Sequence, residues 1–214
     1  MIRSFKKFFE DKFLFSSIDG DGIEYEILEN AVKKIKNPIG CSIEIGVRRG
    51  QGSKTIIDSY RKFHSNINLT HIGLDPYGDL PYTYSEDSKN QKADYTNRMK
   101  RVTQYNFAKN YPEFHLVNLD TYEFFKRFDD GYPIYDKKKS IINKFEIVHF
   151  DGLHDLENVT GEVNYFLNHL SEHTIFIFDN IDSFDIKFIQ ALLEKKNFKI
   201  FETGSTKMSF EYII

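Results

Sequence analysis

The chain has 214 residues, 40% of them hydrophobic, which is enough for one well-packed domain and too few for two of ordinary size. Its 29 basic and 32 acidic residues are interspersed and leave a formal net charge of -3, so neither nucleic acid nor an anionic membrane is indicated as partner and small-molecule chemistry is the better reading. The single cysteine, Cys41, excludes an internal disulfide and a cysteine-based zinc site, and its apolar neighbours predict a buried core thiol.

In chain order, Met1 to Lys12 is charged throughout without the apolar stretch of a signal peptide, and no window reaches transmembrane length, so a soluble cytoplasmic protein is expected. Helical spacing runs from about residue 5 to 37, interrupted by Asp19-Gly20-Asp21-Gly22, and predicts an N-terminal helical cap over 1–37 whose Phe5, Phe8 and Phe9 offer a homodimer contact. Cys41 to Val47 reads as a buried strand and Ser53 to Phe63 as a helix, joined by a turn with glycines at 46, 50 and 52. The alternation continues with Thr70 to Leu74 as strand, Lys89 to Ala108 as helix, Phe114 to Val117 as strand and Thr121 to Phe128 as helix. Phe145 to Phe150 and Thr174 to Phe178 are short apolar runs typical of parallel strands buried on both faces. Phe198 to Thr203 and Met208 to Ile213 are separated by only Gly204 to Lys207, a spacing that favours a hairpin. Two polar stretches, 77–94 and 129–144, break the rhythm and read as lids, substrate loops or disorder. The whole predicts an α/β, Rossmann-like, doubly wound sheet with a terminal antiparallel strand over 38–214, one domain including the cap.

Ligands of such sheets bind beyond the carboxyl ends of the strands. Those ends carry Glu44 and Gly46, Asp75, Asp120, Asp151, and Asp179-Asn180, an acidic rim beyond what surface solvation needs. Gly46, Gly50 and Gly52 allow close backbone approach to a ligand, with Ser53 opening the following helix. Asp75, ending the second strand, is placed to accept hydrogen bonds from both ribose hydroxyls; a helix cap or turn before Pro76 is the plainer role. Asp151, Asp179 and Asn180 form a partial set of hard oxygen ligands suited to magnesium, manganese or calcium.

Glu44-x-Gly46-x-x-x-Gly50-x-Gly52, Leu74-Asp75-Pro76-Tyr77, Asn118-Leu119-Asp120, Phe150-Asp151-Gly152-Leu153-His154 and Phe178-Asp179-Asn180 occur in an order that resembles class I S-adenosylmethionine-dependent methyltransferases. Within that superfamily the chain is most similar to small bacterial O-methyltransferases of the macrolide-sugar and cephalosporin-hydroxylase-like group, over roughly residues 40 to 214. The resemblance implies that Glu44 and Gly46 lie beside the methionine part of the cofactor, Asp75 at the ribose and Asp120 near the adenine. It implies a divalent metal, magnesium first, on Asp151, Asp179 and Asn180, and His154 as general base beside Asp151. Arg48 departs from the pattern, standing where a glycine is common.

The acceptor implied is a hydroxyl of a small metabolite, a sugar or nucleotide sugar first and a catechol-like phenol second. Tyr82, Tyr84, Tyr95, Tyr132 and Tyr135 are candidates to wall its pocket, and Arg98, Lys100 and Arg101 to contact a phosphate on it; a solvated surface is an equal reading of these. Two rivals remain. Tyr122-x-x-x-Lys126 and Tyr135-x-x-x-Lys139 match the catalytic pair of short-chain NAD(P) oxidoreductases, but they precede the fourth strand. A catalytically silent partner subunit is the other, although such a chain would be expected to lose the ligands or the base.

Overall fold

The computed structural model describes residues 17–80 and 95–214. Its elements are α1 (Tyr25–Lys34), β1 (Cys41–Ile45), α2 (Gln51–Phe63), β2 (Thr70–Leu74), α3 (Asn97–Asn110), β3 (Phe114–Val117), α4 (Thr121–Arg127), β4 (Tyr132–Asp136), β5 (Lys138–Ile142), β6 (Phe145–Phe150), α5 (Leu156–Phe166), β7 (Leu170–Phe178), α6 (Ile186–Glu194), β8 (Phe198–Thr203) and β9 (Met208–Tyr212). Seven strands form one sheet in the order β3-β2-β1-β6-β7-β9-β8. Its first five are parallel, and β9 runs antiparallel between β7 and β8, as the four-residue spacing of the last two strands requires.

Both sheet faces are covered, and the two-residue period of each strand decides what covers them. Ile43, Ile45, Ile72, Leu74, Val148, Phe150, Phe176 and Phe178 pack in one cluster with Phe124 of α4, Val163 of α5 and Ile189 of α6. Ile147, Ile175 and Ile177 point the other way, against Ile27, Leu28 and Val32 of α1 and Ile56, Ile57 and Tyr60 of α2. Along β1 and β2 and toward the carboxyl ends of β6 and β7 this second face is polar. Ser42, Glu44, His71, Asp75, His149, Asp179 and Ser209 are all buried there.

Several boundaries differ from expectation. Among the described residues the N-terminal helix is confined to Tyr25–Lys34; residues 17–24 form no helix, because Asp19-Gly20-Asp21-Gly22 runs as a strap over the sheet edge. Phe5, Phe8 and Phe9 lie outside the described residues, as do Tyr82, Tyr84 and the expected helix start at Lys89; α3 begins after Thr96, whose side chain accepts from the Met99 amide. The 129–144 stretch is a β-hairpin rather than a loop: Tyr132 and Ile134 pack on the core while Tyr135 faces solvent, an alternation hidden by Lys137-Lys138-Lys139 at its turn. Tyr77, at the start of the other stretch, is a core side chain with its hydroxyl donated to the Arg48 carbonyl at 2.6 Å. β7 begins at Leu170, earlier than the apolar run marks, and Cys41 is only partly buried, its thiol pushed up to about 12 by burial and by Glu146. No described helix is long and apolar enough to cross a membrane.

Candidate functional site

The glycine turn after β1 is held from beneath by Asp75. Its Oδ2 accepts from the amides of Val47 at 3.1 Å and Arg48 at 2.9 Å, and its Oδ1 accepts from the Tyr77 amide at 2.9 Å. Burial pushes the Asp75 carboxyl up to about 6 despite these three donors. Arg48 takes φ 50, a left-handed conformation that explains why glycine suits the position. Gly46 is obligatory for a different reason: at φ 83, a side chain there would overlap the Asp151 carbonyl, so the ends of β1 and β6 close on each other only through it. A side chain at Gly52 would overlap Glu44 Oε1.

Glu44 and Ser53 are the expected cofactor residues that the fold instead draws under the turn. Glu44 Oε2 accepts from the Ser53 amide at 2.8 Å and from the Ser53 hydroxyl, and Oε1 meets His149 Nδ1 at 2.8 Å. His71 continues the chain, with Nε2 2.9 Å from Ser53 Oγ and Nδ1 2.8 Å from Ser42 Oγ. Burial, with His149 and His115 nearby, pushes His71 down to about 3, so its ring is neutral and can relay between two hydroxyls. The network braces β1, β2, β6 and the start of α2 with almost no water contact.

Above it opens a cleft of about 230 Å³ lined by Asp21, Gly22, Gly46, Arg48, Tyr95, Asp151, His154, Asp179 and Asn180. His154 is 8% exposed; its Nε2 lies 2.9 Å from Asn180 Nδ2, and burial, outweighing the charge of Asp179, lowers its basicity so that the ring is neutral near pH 7. Asp151 and Asp179 share a site. Burial and the charge of Asp179 push Asp151 well up, whereas for Asp179 burial is outweighed by Lys207, His149 and the Asn180 amide, which hold it below its usual range. Asp179 is thus the ionised member of the pair.

Lys207, immediately before β9, was not marked by the sequence. It is 0% exposed, forms an ion pair with Asp179 Oδ2, and lies 5.5 Å from the centre of the Tyr25 ring. The antiparallel register Phe178↔Met208 delivers it to the end of β7. Glu24 clamps the turn that carries it, accepting from the amides of Ser205 at 2.6 Å, Thr206 at 2.9 Å and Lys207 at 3.1 Å. These backbone donors, with the two hydroxyls, hold the Glu24 carboxyl at about 2. The strap is tied at its other end by Asp19 to Arg49 at 2.9 Å and Asp21 to Arg48 at 3.2 Å.

The expected metal ligands Asp151, Asp179 and Asn180 are therefore brought together, but they do not fit a divalent ion as they stand. Asp179 Oδ2 is on an ammonium, its Oδ1 accepts the Asn180 amide at 2.8 Å, and the Asn180 side chain faces His154. Glu44, His149 and Asp151 also place donor atoms within 4.8 Å of one another, but Glu44 already accepts from the Ser53 amide and hydroxyl and faces His149. His149 Nε2 has no partner among the described residues.

A second hollow, sharing Gly46 with the cleft, is lined by Ile45, Leu74, Pro76, Leu119, Leu153 and, at its rim, Asp120 and Glu162. The Asp120 carboxylate caps α4, accepting from the Glu123 amide at 2.8 Å. Of the candidate acceptor residues, Tyr95 lines the cleft, Tyr132 packs on Phe128 with ring centres 5.1 Å apart, and Lys100 binds Asn118 at 2.7 Å. Tyr122 and Tyr135 are 74% and 76% exposed and stand apart from the cleft, so neither forms an oxidoreductase pair with a lysine there.

The family described as "Methyltransferase domain" matches residues 43–181, about two-thirds of the chain. Among solved structures, the chain is similar to CalS11, a TDP-rhamnose 3'-O-methyltransferase of calicheamicin biosynthesis, at TM-score 0.56 and 14% identity over 88% of this chain and 76% of that one. It is also similar to the O-methyltransferase from Bacillus cereus in complex with S-adenosylhomocysteine, at TM-score 0.57 and 11% identity over 100% of both. Cofactor-bound Rv0187 from MTB aligns at TM-score 0.58 and 10% identity over 98% of this chain and 95% of that one. No curated protein matches the chain in sequence.

Proposed function

The chain belongs to the methyltransferase domain family with its Rossmann-like fold, and from that premise we propose that it moves a methyl group from S-adenosylmethionine to a hydroxyl of a small acceptor, preferably a sugar or nucleotide sugar. The observation that carries this reading is the buried, neutral His154 facing the same cleft as the ionised Asp179 and the Gly46 turn. Bound S-adenosylmethionine supplies an electrophilic methyl on a sulfonium, so no covalent enzyme intermediate is required.

The hollow of Ile45, Leu74, Pro76, Leu119 and Leu153 suits the flat adenine, with Asp120 and Glu162 at its rim. Asp75 Oδ1 accepts a single amide and so retains a lone pair for a ribose hydroxyl. Gly46 and Arg48 then border the methionine end in the cleft. The acceptor's hydroxyl replaces the Asn180 amide at His154 Nε2, which takes the hydroxyl proton as the oxygen attacks the methyl carbon, and the carbon–sulfur pair leaves on sulfur, giving the thioether and a histidinium. The charge of Asp179 stabilises that histidinium across the cleft. Asp151, Asp179 and Asn180 would be the holders of a divalent metal, but the Lys207 contact opposes it and no step is routed through one. The similarity to CalS11, a TDP-rhamnose 3'-O-methyltransferase, supports the sugar class.

The test is calorimetric titration of S-adenosylhomocysteine into the protein, with NAD and NADP as controls. Micromolar binding of S-adenosylhomocysteine alone is expected. Binding of a nicotinamide nucleotide instead would transfer the case to an oxidoreductase, and binding of neither would leave a silent partner subunit.

A further inference from the structure

The geometry points to Lys207 as a resident cation that takes the place of a divalent metal at Asp151, Asp179 and Asn180. This concerns the same rim as the proposed methyl transfer, but it stands on contacts rather than on turnover. A hard divalent ion needs several free oxygen lone pairs converging at about 2 Å. Here one of them, Asp179 Oδ2, is taken by the Lys207 ammonium. That ammonium is fully buried, has no other hydrogen-bond acceptor among the described residues, and lies against the Tyr25 ring. A buried lysine is held charged only by a paired carboxylate.

The surroundings are built to keep it there. Glu24 fixes the turn immediately before β9 through three backbone amides, including that of Lys207 itself. Gly22 of the strap covers the pair so closely that a side chain at that position would stand 3.2 Å from Asp179 Oδ2 and 3.5 Å from Lys207 Nζ. Asp151, on the neighbouring strand, faces the same charge. Lys207 is placed to act through Asp179: by fixing its position and partly neutralising it, it sets the field felt by His154, the part a metal would otherwise play. It is a positioning residue and does not line the cleft.

The experiment measures Mn²⁺ binding by electron paramagnetic resonance on the full chain, with S-adenosylhomocysteine affinity measured on the same samples. The wild type is expected to show no saturable Mn²⁺ site at millimolar metal and an S-adenosylhomocysteine affinity that a chelator leaves unchanged. Lys207→Met, which keeps the stem and removes the charge, is expected to gain one Mn²⁺ site, and Lys207→Met with Asp179→Asn to lose it again. Saturable Mn²⁺ binding by the wild type that Asp179→Asn abolishes would overturn the proposal, as would a folded Lys207→Met that still takes up no Mn²⁺. If Lys207→Met fails to fold, the wild-type titration decides alone. Loss of S-adenosylhomocysteine binding by the wild type would strike the methyltransferase reading and leave the metal result standing.

Discussion

Glu162, on α5 at the rim of the apolar hollow, is 3% exposed. Burial pushes its carboxyl up to about 8 from an ordinary 4.5, against a hydrogen bond from Thr121. Between those two values the folded chain keeps the proton while the unfolded chain releases it, so stability falls as pH rises from about 4.5 and levels off above about 8. At ~1.4 kcal/mol per pH unit the loss reaches roughly 3 kcal/mol at neutral pH and at most about 5 kcal/mol in alkali. Glu162→Gln keeps the shape and removes the proton equilibrium. At ~2–4 °C per kcal/mol for a chain of this size, its Tm is expected to exceed the wild type's by about 6–12 °C at neutral pH. In scanning fluorimetry the two Tm curves should meet at about pH 5, diverge through neutrality and run parallel again above about pH 9. Curves that stay parallel throughout would show that Glu162 ionises normally and that the hollow is wetter than its lining implies.

The other predictions concern the rim. Asp75→Ala strips three amides, two of them in buried hydrogen bonds, of their acceptor and should cost ~3 kcal/mol or more in a urea melt, while weakening S-adenosylhomocysteine binding at least tenfold; unchanged affinity would confine Asp75 to bracing the turn. His154→Gln should reduce methyl transfer by roughly 10²–10⁴-fold with cofactor affinity unaltered, and comparable losses of both would reassign it to binding. Arg48→Gly relieves the left-handed backbone but loosens the unfolded chain and drops an ion pair with the exposed Asp21, so thermal stability should stay within ~1 kcal/mol of the wild type. A larger loss would mean that the strap depends on this pair.

The parallel strands were legible because each is a short run rich in Ile, Val, Leu or Phe, followed at once by an acid or glycine in all but β3, so the acidic rim followed from the strand order. What each acid touches was not. Glu44 and Asp75 point at the chain's own amides because Ser53 and Tyr77 come back over them, and nothing in the local spacing states that return. His149 lies between Val148 and Phe150 and reads as one polar interruption in an apolar run; only pairing with Glu44 across the β1–β6 ladder gives it a partner. The 129–144 hairpin was lost for the opposite reason, since three successive lysines at its turn masked a two-residue alternation.

Lys207 and the strap explain each other. A lysine after Gly204-Ser205-Thr206 has the local signature of a solvated hairpin turn, and Asp19-Gly20-Asp21-Gly22 that of a loop. The antiparallel insertion of β9 beside β7 turns the lysine inward onto Asp179, where an ammonium is tolerated only if water is kept off and the carboxylate stays ionised. The strap does the first through Gly22 and Tyr25, and the turn is fixed for the second by Glu24, on the same segment. Because that segment is also tied to Arg48 and Arg49 of the glycine turn, the cover over the Lys207 pair and the wall of the cleft are one piece of chain.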